Sequence, residues 1–280
     1  MAACDRIVEP GETVHVVQRV CGESLGVAQA DPNPEPLQVV YEDACMAGVV
    51  KPQGLPMHGD VSDPSFLSGL PHVLQPARVL GALPWPQHVH RLDLPTGGLV
   101  LVAKTHAVQV ALGALFASRD IKKQYRAVVH GHLEGCGTVM RAVDGKEAIT
   151  DYQAQAHSHS ASFGNFTVVK LHPRTGRTHQ LRRHMADLGH PIVNDSTYGR
   201  QSLWMQTLPL VHGMCLWAER IQFPHPDLEM VRNGPHMHPC VVPGLDLASG
   251  IVTIQSSPPS QFRTCPRLWD FSELTKEEED

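Results

Sequence analysis

A polar loop followed by a long apolar run constrains the fold of this chain more than any other feature. The loop, His90–Gly98, contains a single carboxylate, Asp93. The apolar run Leu99–Ala103 comes next and predicts a buried strand. Because a buried strand is a rigid platform, the loop before it can hold a reactive group in a fixed place. The structural alternative is an Asp that only stabilises its own turn.

A second patterned segment predicts a helix. Its apolar stripe consists of Leu181, Met185 and Leu188 at helical spacing. Thr178 is a candidate N-cap, and Gly189 is a candidate stop signal. This helix is the best supported one in the second half of the chain.

An arginine on this helix is expected to need a charged partner. Arg182 lies beside the apolar stripe, so partial burial is expected. Burying an arginine without an acidic partner costs several kcal/mol of folding free energy, and Asp93 is the candidate partner. Such a pair keeps the carboxylate ionised and oriented.

A half-buried strand is predicted over residues 121–131, where apolar and polar residues alternate. Tyr125, Ala127 and Val129 share one face of that strand. The tyrosine could present its ring to a ligand, and simple packing is the structural alternative. Two further strands, at 37–41 and 47–50, are predicted around an acidic turn.

Together these segments resemble the RluA-type RNA pseudouridine synthases over about residues 40–226. The motifs that carry the resemblance are, in chain order, Lys51-Pro52-x-Gly54-x-x-x-His58, His90-Arg91-Leu92-Asp93-x-x-Thr96-x-Gly98, Lys123-x-Tyr125-x-Ala127-x-Val129-x-Gly131, Gly176-Arg177-Thr178-His179-Gln180-Leu181-Arg182-x-His184 and Leu188-Gly189-His190-Pro191-Ile192-Val193-x-Asp195-x-x-Tyr198-Gly199. One departure is Gly97, where the family usually has Ser; the lost hydroxyl could loosen the turn.

The resemblance implies an isomerase that converts a uridine in structured RNA, either tRNA or rRNA, into pseudouridine without a cofactor. It implies that Asp93 is the catalytic residue, acting as nucleophile or base, that Tyr125 stacks on the target base and that Arg182 is the active-site arginine. Arg91 matches the residue that occupies the stack left by the flipped uridine. The side chains expected to contact RNA are His90, Arg91, Thr96, Lys123, Arg177, Thr178, His179 and Gln180.

The net charge of the chain does not favour an RNA partner, but the distribution of its basic residues is compatible with one. The formal net charge of −5 is not typical of a generic nucleic-acid binder. Two basic clusters could nevertheless hold phosphates, with ordinary solvated charge as the alternative. They consist of Lys122, Lys123 and Arg126, and of Arg174, Arg177, Arg182 and Arg183.

The fold implied by the resemblance is α+β, a pseudouridine synthase fold with a long, mainly antiparallel central sheet flanked by helices. We expect residues 1–36 to form an N-terminal extension and Pro-rich linker, 37–232 the catalytic domain, and 233–280 a C-terminal extension. Residues 255–280 are predicted to be a flexible acidic tail.

Within the domain we expect a helix at 106–117, a strand at 166–171 and two closing strands at 211–217 and 221–226. Residues 60–87 read as loop with one short helix, and 157–160 as loop.

Several other classes find little support in the sequence. No apolar run approaches the roughly 18–20 residues of a membrane span, and the first residues resemble neither a signal nor a transit peptide. The seven cysteines are scattered without a Cys-x-x-Cys pair, which argues against a disulfide framework or a structural zinc site. We therefore expect an intracellular protein, cytoplasmic or nuclear, with an organelle left open, and a monomer.

Two rival functions remain at this stage. One is a catalytically silent RNA-binding homologue of the same fold, which predicts loss of the Asp, Tyr or Arg. The other is a metal-dependent hydrolase, which needs ligands at metal spacing. His236, His238 and Cys240 lack a fourth partner, so we predict no metal site there. A nucleotide-binding Gly motif is also missing from the sequence, so no nucleotide cofactor is expected.

Overall fold

One long sheet carries the structure. The computed structural model describes residues 37–59, 64–199, 211, 213–227, 244–246, 248–265 and 269–271, all within the unit formed by residues 35–280. Its strands are β1 (Gln38–Glu42), β2 (Met46–Lys51), β3 (Ala82–His88), β4 (Gly97–Thr105), β5 (Lys122–His130), β6 (Cys136–Val139), β7 (Thr150–Ser160), β8 (Gly164–Pro173), β9 (Leu216–Pro224), β10 (Leu245–Asp246), β11 (Ile251–Gln255), β12 (Thr264–Cys265) and β13 (Trp269–Asp270). The helices are α1 (Phe66–Val73), α2 (His106–Ser118) and α3 (Gln180–Asp187).

The strand order inserts β9, which comes late in the chain, between β4 and β5. The main path is β1-β2-β4-β9-β5-β8-β7-β6, with β3 on β4 and with β11 joining β9 to β10. The described pairings of this sheet are antiparallel except for β4 with β9, which run parallel at Gly97–Trp217 and Gly98–Ala218. The α+β fold with a long, mainly antiparallel sheet is therefore confirmed.

Strand β4 is the centre of the core, as its apolar sequence predicts. Every residue from Gly97 to Thr105 is buried. Alternate side chains enter two apolar clusters because successive residues of a strand point to opposite faces. Leu99 and Leu101 join the cluster that includes Val108 of α2, whereas Val100 and Val102 join the cluster that includes Leu70 of α1. The loop before β4 is thus anchored to a strand packed on both faces.

Several elements differ from the sequence predictions. Residues 60–87 contain β3 as well as a helix, and residues 157–160 belong to strand β7 rather than to a loop. The two predicted closing strands form one continuous strand, β9. The Pro-rich segment that forms β3 and the His/Ser-rich segment of β7 have no local strand pattern in their sequences. They become strands because β3 pairs with β4 and β7 pairs with β8, and these pairings supply their backbone hydrogen bonds.

The prediction of a flexible tail is wrong for the described part of residues 255–280. Phe262, Trp269 and Phe271 are each buried and belong to the larger apolar cluster. The Trp269 ring lies 4.9 Å from the Phe166 ring of β8, measured between centroids. Strand β11 also pairs with β9, so the sheet itself includes residues beyond 232. The proposed linker and the histidine-rich stretch at 236–240 lie outside the described residues.

Helix α3 begins later than predicted and without the predicted cap. His179 occupies the N-cap position with a left-handed backbone, φ 55°, and makes no capping hydrogen bond with its side chain. Thr178 is therefore not the cap. Leu181 and Met185 are buried as predicted, whereas Leu188 is 37% exposed. In the described part of the chain, no helix combines the length and the apolar character that crossing a membrane requires.

The departure at Gly97 has a structural explanation. A Cβ atom placed there would lie 2.3 Å from Cζ3 of Trp217 on β9, closer than van der Waals contact allows. The indole itself is fixed, since its Nε1 donates to the Ser256 carbonyl at 3.1 Å. The large ring therefore fills the space that a side chain at position 97 would need, and the turn is supported by packing rather than by a hydroxyl.

We expect Gly97→Ser to lower the free energy of unfolding by about 1–3 kcal/mol, because it overpacks the contact with the indole. In the Trp217→Leu background the same change should cost much less, since the smaller side chain vacates the space. Urea denaturation of the four proteins gives the coupling energy. Gly113→Ser is the matched control, because no atom lies within 4 Å of a Cβ at position 113. Equal costs of G97S in both backgrounds would contradict the explanation.

Candidate active site

All of the predicted site residues line one open cleft of about 520 Å³. This volume is within the range of small-ligand sites. The cleft is bounded by the loop 89–96, the end of α2, the first residues of β5 and the segment 173–182. Residues distant in sequence therefore meet beside the central strands β4, β9 and β5 of the sheet.

The Asp93 loop is held from below by a buried lysine. Lys51 is fully buried, and its Nζ donates to the carbonyl oxygens of Pro52 (2.9 Å), Leu55 (2.8 Å) and Leu94 (3.2 Å). Burial lowers the pKa of Lys51 to about 8, with the nearby Asp93 acting in the opposite direction. The ammonium joins the Lys-Pro-x-Gly loop to the Asp93 loop and fixes their relative position.

Arg182 is held mainly by an acid that the sequence analysis did not pair with it. Its Nε and Nη2 donate to the two carboxylate oxygens of Asp195 at 2.7 and 2.8 Å. Nη2 also donates to Thr197 Oγ1 at 3.0 Å. Nη1 reaches Asp93 Oδ2 at 3.4 Å, a longer contact. The predicted Asp93–Arg182 pair exists, but Asp195 is the main partner.

Asp195 provides the rigidity of this arrangement. Its side chain is fully buried and also accepts from the backbone N–H groups of Thr197 (2.9 Å) and Tyr198 (3.1 Å). Burial alone would raise the pKa of Asp195, but its hydrogen bond to Arg182 holds that pKa below the usual value. The sequence signal for Asp195 is its position in the motif Val193-x-Asp195-x-x-Tyr198. Nothing in that motif indicates that Arg182 is its partner.

His179 lies on the opposite side of the Asp93 carboxylate. Its Nε2 is 3.8 Å from Asp93 Oδ1, and its Nδ1 is hydrogen-bonded to the Tyr198 hydroxyl at 3.0 Å. The Tyr198 ring in turn lies 5.2 Å from the guanidinium carbon of Arg182. The two oxygens of Asp93 therefore face two different basic side chains, and Tyr198 contacts both.

Tyr125 reaches the cleft from strand β5. Its ring packs against both apolar clusters, and burial, followed by the nearby charge of Asp93, raises the pKa of its hydroxyl well above the usual value. The neutral phenol thus combines an apolar, fixed ring with proximity to the carboxylate. That combination fits a stacking surface for a base as well as it fits packing.

Three of the residues that are predicted to contact RNA also make hydrogen bonds within the protein. The four hydrogen-bonding positions of the Gln180 amide are filled by Thr175 Oγ1, Arg177 N, the Ile149 carbonyl and Thr150 Oγ1. Thr96 is 2% exposed, and its N–H closes the loop by donating to the Asp93 carbonyl at 3.0 Å. The third is His90.

His90 is an internal acceptor rather than a cation. Its Nε2 accepts from the Leu101 N–H of β4 at 3.0 Å, and its ring lies 4.9 Å from that of Phe116. Burial, assisted by the neighbouring charge of Lys123, lowers the pKa of His90 to about 3. The neutral ring therefore ties the catalytic loop to the buried strand.

The basic clusters also need correction. Arg126 is buried and pairs with Glu219 at 2.6 Å, so it faces away from any ligand in solvent. Arg174 and Arg183 are paired with Asp151 (2.6 Å) and Asp144 (2.7 Å) at the surface. The basic residues that line the cleft without a close carboxylate among the described contacts are Arg91, Lys123 and Arg177.

A metal-compatible cluster among the described residues lies outside the cleft. It consists of Asp43, Cys45 and His225. Its polar atoms are already committed to one another, since His225 Nε2 lies 2.9 Å from Asp43 Oδ2 and the Cys45 N–H donates to Asp43 Oδ1 at 2.8 Å. His225 Nδ1 accepts from the Asp227 N–H at 3.1 Å. This arrangement stabilises the β1–β2 turn and supplies nothing to the cleft.

Comparisons with known proteins agree with this geometry. The RNA pseudouridylate synthase family profile matches residues 47–187. Ribosomal large subunit pseudouridine synthase D from Escherichia coli is 32% identical over 234 residues, which covers 74% of this chain and 69% of that protein. The Xylella fastidiosa protein of the same name is 32% identical over 79% of this chain and 76% of its own length.

Solved structures give the same result. Human RNA pseudouridylate synthase domain containing 1 is 27% identical, with a TM-score of 0.58 over 70% of this chain and 82% of the human chain. The related human domain containing 4 supports the fold, with a TM-score of 0.57 at 22% identity over 80% of this chain and 89% of the human chain. The chain therefore belongs to the RluA-type RNA pseudouridine synthase family. It is an RNA-modifying isomerase, as the sequence resemblance predicts.

The burial of neutral His90 predicts a pH-dependent stability. Its folded pKa of about 3 lies below the unfolded value of about 6.5, so the unfolded chain binds more protons between these values. The free energy of unfolding should therefore fall as pH drops below about 6.5, by about 1 kcal/mol per pH unit from this residue.

His90→Gln keeps an acceptor for the Leu101 N–H but cannot titrate, so its unfolding free energy should decline less steeply between pH 6.5 and 5. Guanidinium denaturation at several pH values measures the difference. Other histidines with lowered pKa values, such as His130, contribute equally to both proteins. Parallel curves would show that His90 is not the source.

We expect Asp195→Asn to lower the free energy of unfolding by about 3 kcal/mol, because it leaves the buried Arg182 without its ionic partner. The turnover of RNA should fall further than the loss of folded protein explains, since Nη1 is then no longer directed at Asp93. Asp151→Asn, at an exposed ion pair with Arg174, is the matched control. Single-turnover rates measured on the folded fraction would reject the role of Asp195 if they equalled those of the unmodified protein.

Proposed function

We propose that this chain isomerises a specific uridine in structured RNA, with ribosomal RNA as the preferred test substrate. The observation that carries the proposal is Asp93, held between Arg182 Nη1 at 3.4 Å and His179 Nε2 at 3.8 Å in an open cleft. The names of the bacterial relatives favour ribosomal over transfer RNA. The relatives are similar over most of this chain, and the same cleft suits either RNA.

In the proposed mechanism the target uridine leaves its helix and enters the cleft. Flipping costs a few kcal/mol, and stacking of the uracil on Tyr125 recovers about 1–3 kcal/mol. The exposed Arg91, at the rim of the same loop, occupies the vacated stack. Lys123, Arg177 and the exposed Thr178 contact phosphates, which supplies affinity without sequence information.

Asp93 then acts at the reacting sugar or base, as nucleophile or as base. The N-glycosidic bond to N1 breaks, the uracil turns within the cleft, and C5 joins the ribose carbon. The C5 proton is lost and N1 gains one, so the reaction is balanced without an external reagent. Arg182 keeps the carboxylate oriented, because Asp195 fixes the guanidinium in two places.

The proposal extends to the molecule as a whole. We infer that it acts as a monomer, since one chain supplies every group named above, and that it works inside the cell, in the cytoplasm or nucleus, where structured RNA is available. We also propose that the catalytic unit starts near residue 37, at β1. A sedimentation measurement and imaging of the tagged protein test the first two statements.

Asp93→Asn should abolish pseudouridine formation, by at least about a thousandfold, while leaving the fold intact because the two side chains are nearly isosteric. The assay incubates the full chain with large-subunit rRNA and maps pseudouridine in the product. Asp246→Asn, at an exposed acid on β10 outside the cleft, is the control and should retain full activity.

The same assay separates the rival functions. Product that forms equally well in the presence of a chelator supports the proposed isomerase. RNA binding without any product from the unmodified chain would support a silent homologue instead, and chelator-sensitive RNA cleavage would support a hydrolase.

A further inference from the structure

The position of His179 is unusual for a residue that only contacts RNA. It has a left-handed backbone, φ 55°, which costs a residue other than glycine about 1–2 kcal/mol. It gives no capping hydrogen bond to helix α3 in return. Backbone strain of this kind persists where the surrounding structure fixes a side chain in one place. Here the His179 side chain is fixed in the cleft beside Asp93.

The hydrogen bond to Tyr198 determines which nitrogen faces the reaction. Nδ1 lies 3.0 Å from the Tyr198 hydroxyl, so Nε2 is the nitrogen that remains for the cleft. Nε2 lies 3.8 Å from Asp93 Oδ1, which is too long for a hydrogen bond but within the range of an ion pair. The side chain is 31% exposed, so a base bound over Asp93 can reach it.

We propose that His179 is a catalytic residue that carries the proton from C5 of the uracil to N1. This inference rests on the proposed function, and it replaces the RNA contact that the sequence assigns to His179. The alternative base in the same cleft, Tyr125, has a hydroxyl whose burial strongly favours the neutral form. His179 is partly exposed and lies directly beside the carboxylate.

The proposed step balances within the active site. After C5 has joined the ribose, Nε2 accepts the proton from C5. The electron pair of the C5–H bond forms the C5–C6 double bond, and the π pair of the C6–N1 double bond moves to N1, which becomes the proton acceptor. The proposed step uses the tautomer in which Nδ1–H donates to the Tyr198 hydroxyl, because that tautomer has its lone pair on Nε2. The imidazolium that forms is stabilised by Asp93 Oδ1, which is close enough to pair with it, and it then delivers the proton to N1.

The charged groups around this histidine fit the role. Asp93 Oδ1 lies 3.8 Å from Nε2, the nitrogen that takes the proton in the proposed step, whereas the guanidinium of Arg182, on the next turn of α3, is paired with Asp195. Tyr198 fixes the ring from behind, at a centroid distance of 5.7 Å and an interplanar angle of 80°. The site therefore holds the imidazole ring in a fixed position between the Asp93 carboxylate and the Tyr198 hydroxyl.

Two variants separate a proton carrier from a structural residue. Asn tolerates a left-handed backbone and can bond to Tyr198 with its amide, so His179→Asn preserves the local structure but lacks Nε2. His179→Gly relieves the backbone strain and leaves room for added imidazole. His159→Gln, at an exposed histidine of β7 outside the cleft, is the matched control.

The test measures single-turnover isomerisation of rRNA that carries protium or deuterium at C5 of uridine. We expect H179N to lower the maximal rate about 100- to 1000-fold with little change in RNA affinity. The deuterium isotope effect, small for the unmodified chain, should rise above about twofold in the variant, because removal of the C5 proton becomes rate-limiting. Imidazole should restore at least part of the activity of H179G.

Failure of this inference is distinguishable from failure of the proposed function. An active unmodified chain together with an H179N variant that loses only RNA affinity, or shows no new isotope effect, would overturn the proton-carrier role alone. An unmodified chain that forms no pseudouridine in any structured RNA would overturn the proposed function, and the role of His179 with it.

Discussion

The buried guanidinium of Arg182 is the group on which the active cleft depends. A charge at this depth is stable only when its hydrogen-bonding positions are filled, and Asp195 fills two of them with the geometry that a planar guanidinium prefers. Thr197 takes a further contact at 3.0 Å, which leaves Nη1 for Asp93. The arginine therefore acts as a rigid connector between the 195–198 turn and the catalytic loop.

Packing around the catalytic loop is as specific as the charges. Lys51 holds the loop by three carbonyl groups, and His90 binds it to β4 through the Leu101 N–H. Trp217 occupies the volume beside Gly97, so the turn is supported by packing against the indole. The position of the Asp93 carboxylate is well defined, because its loop is attached at several independent points to a strand that is buried on both faces.

The electrostatics of the cleft also explain how a chain of net negative charge can use an RNA substrate. Several surface arginines are neutralised locally by acids such as Asp144 and Asp151. Arg91, Lys123 and Arg177 line the cleft without a close carboxylate among the described contacts. In the proposed function, such an arrangement supplies phosphate contacts where the target nucleotide enters, without giving the whole protein the basic character of a general nucleic-acid binder.

The sequence by itself determined the elements with a strong local pattern. Strand β4, helix α2, strand β5 and the apolar side of α3 follow from periodicity. The ordered motifs predict that Asp93, Tyr125 and Arg182 share one site, and all three line the same cleft. Only the tertiary structure decided that Asp195 is the main partner of Arg182, that Trp217 faces Gly97, and that the chain after residue 244 completes the core. The physical reason is that periodicity reports the environment of a segment, whereas the partner of a buried charge or the neighbour of a missing side chain depends on which distant segments the sheet brings together.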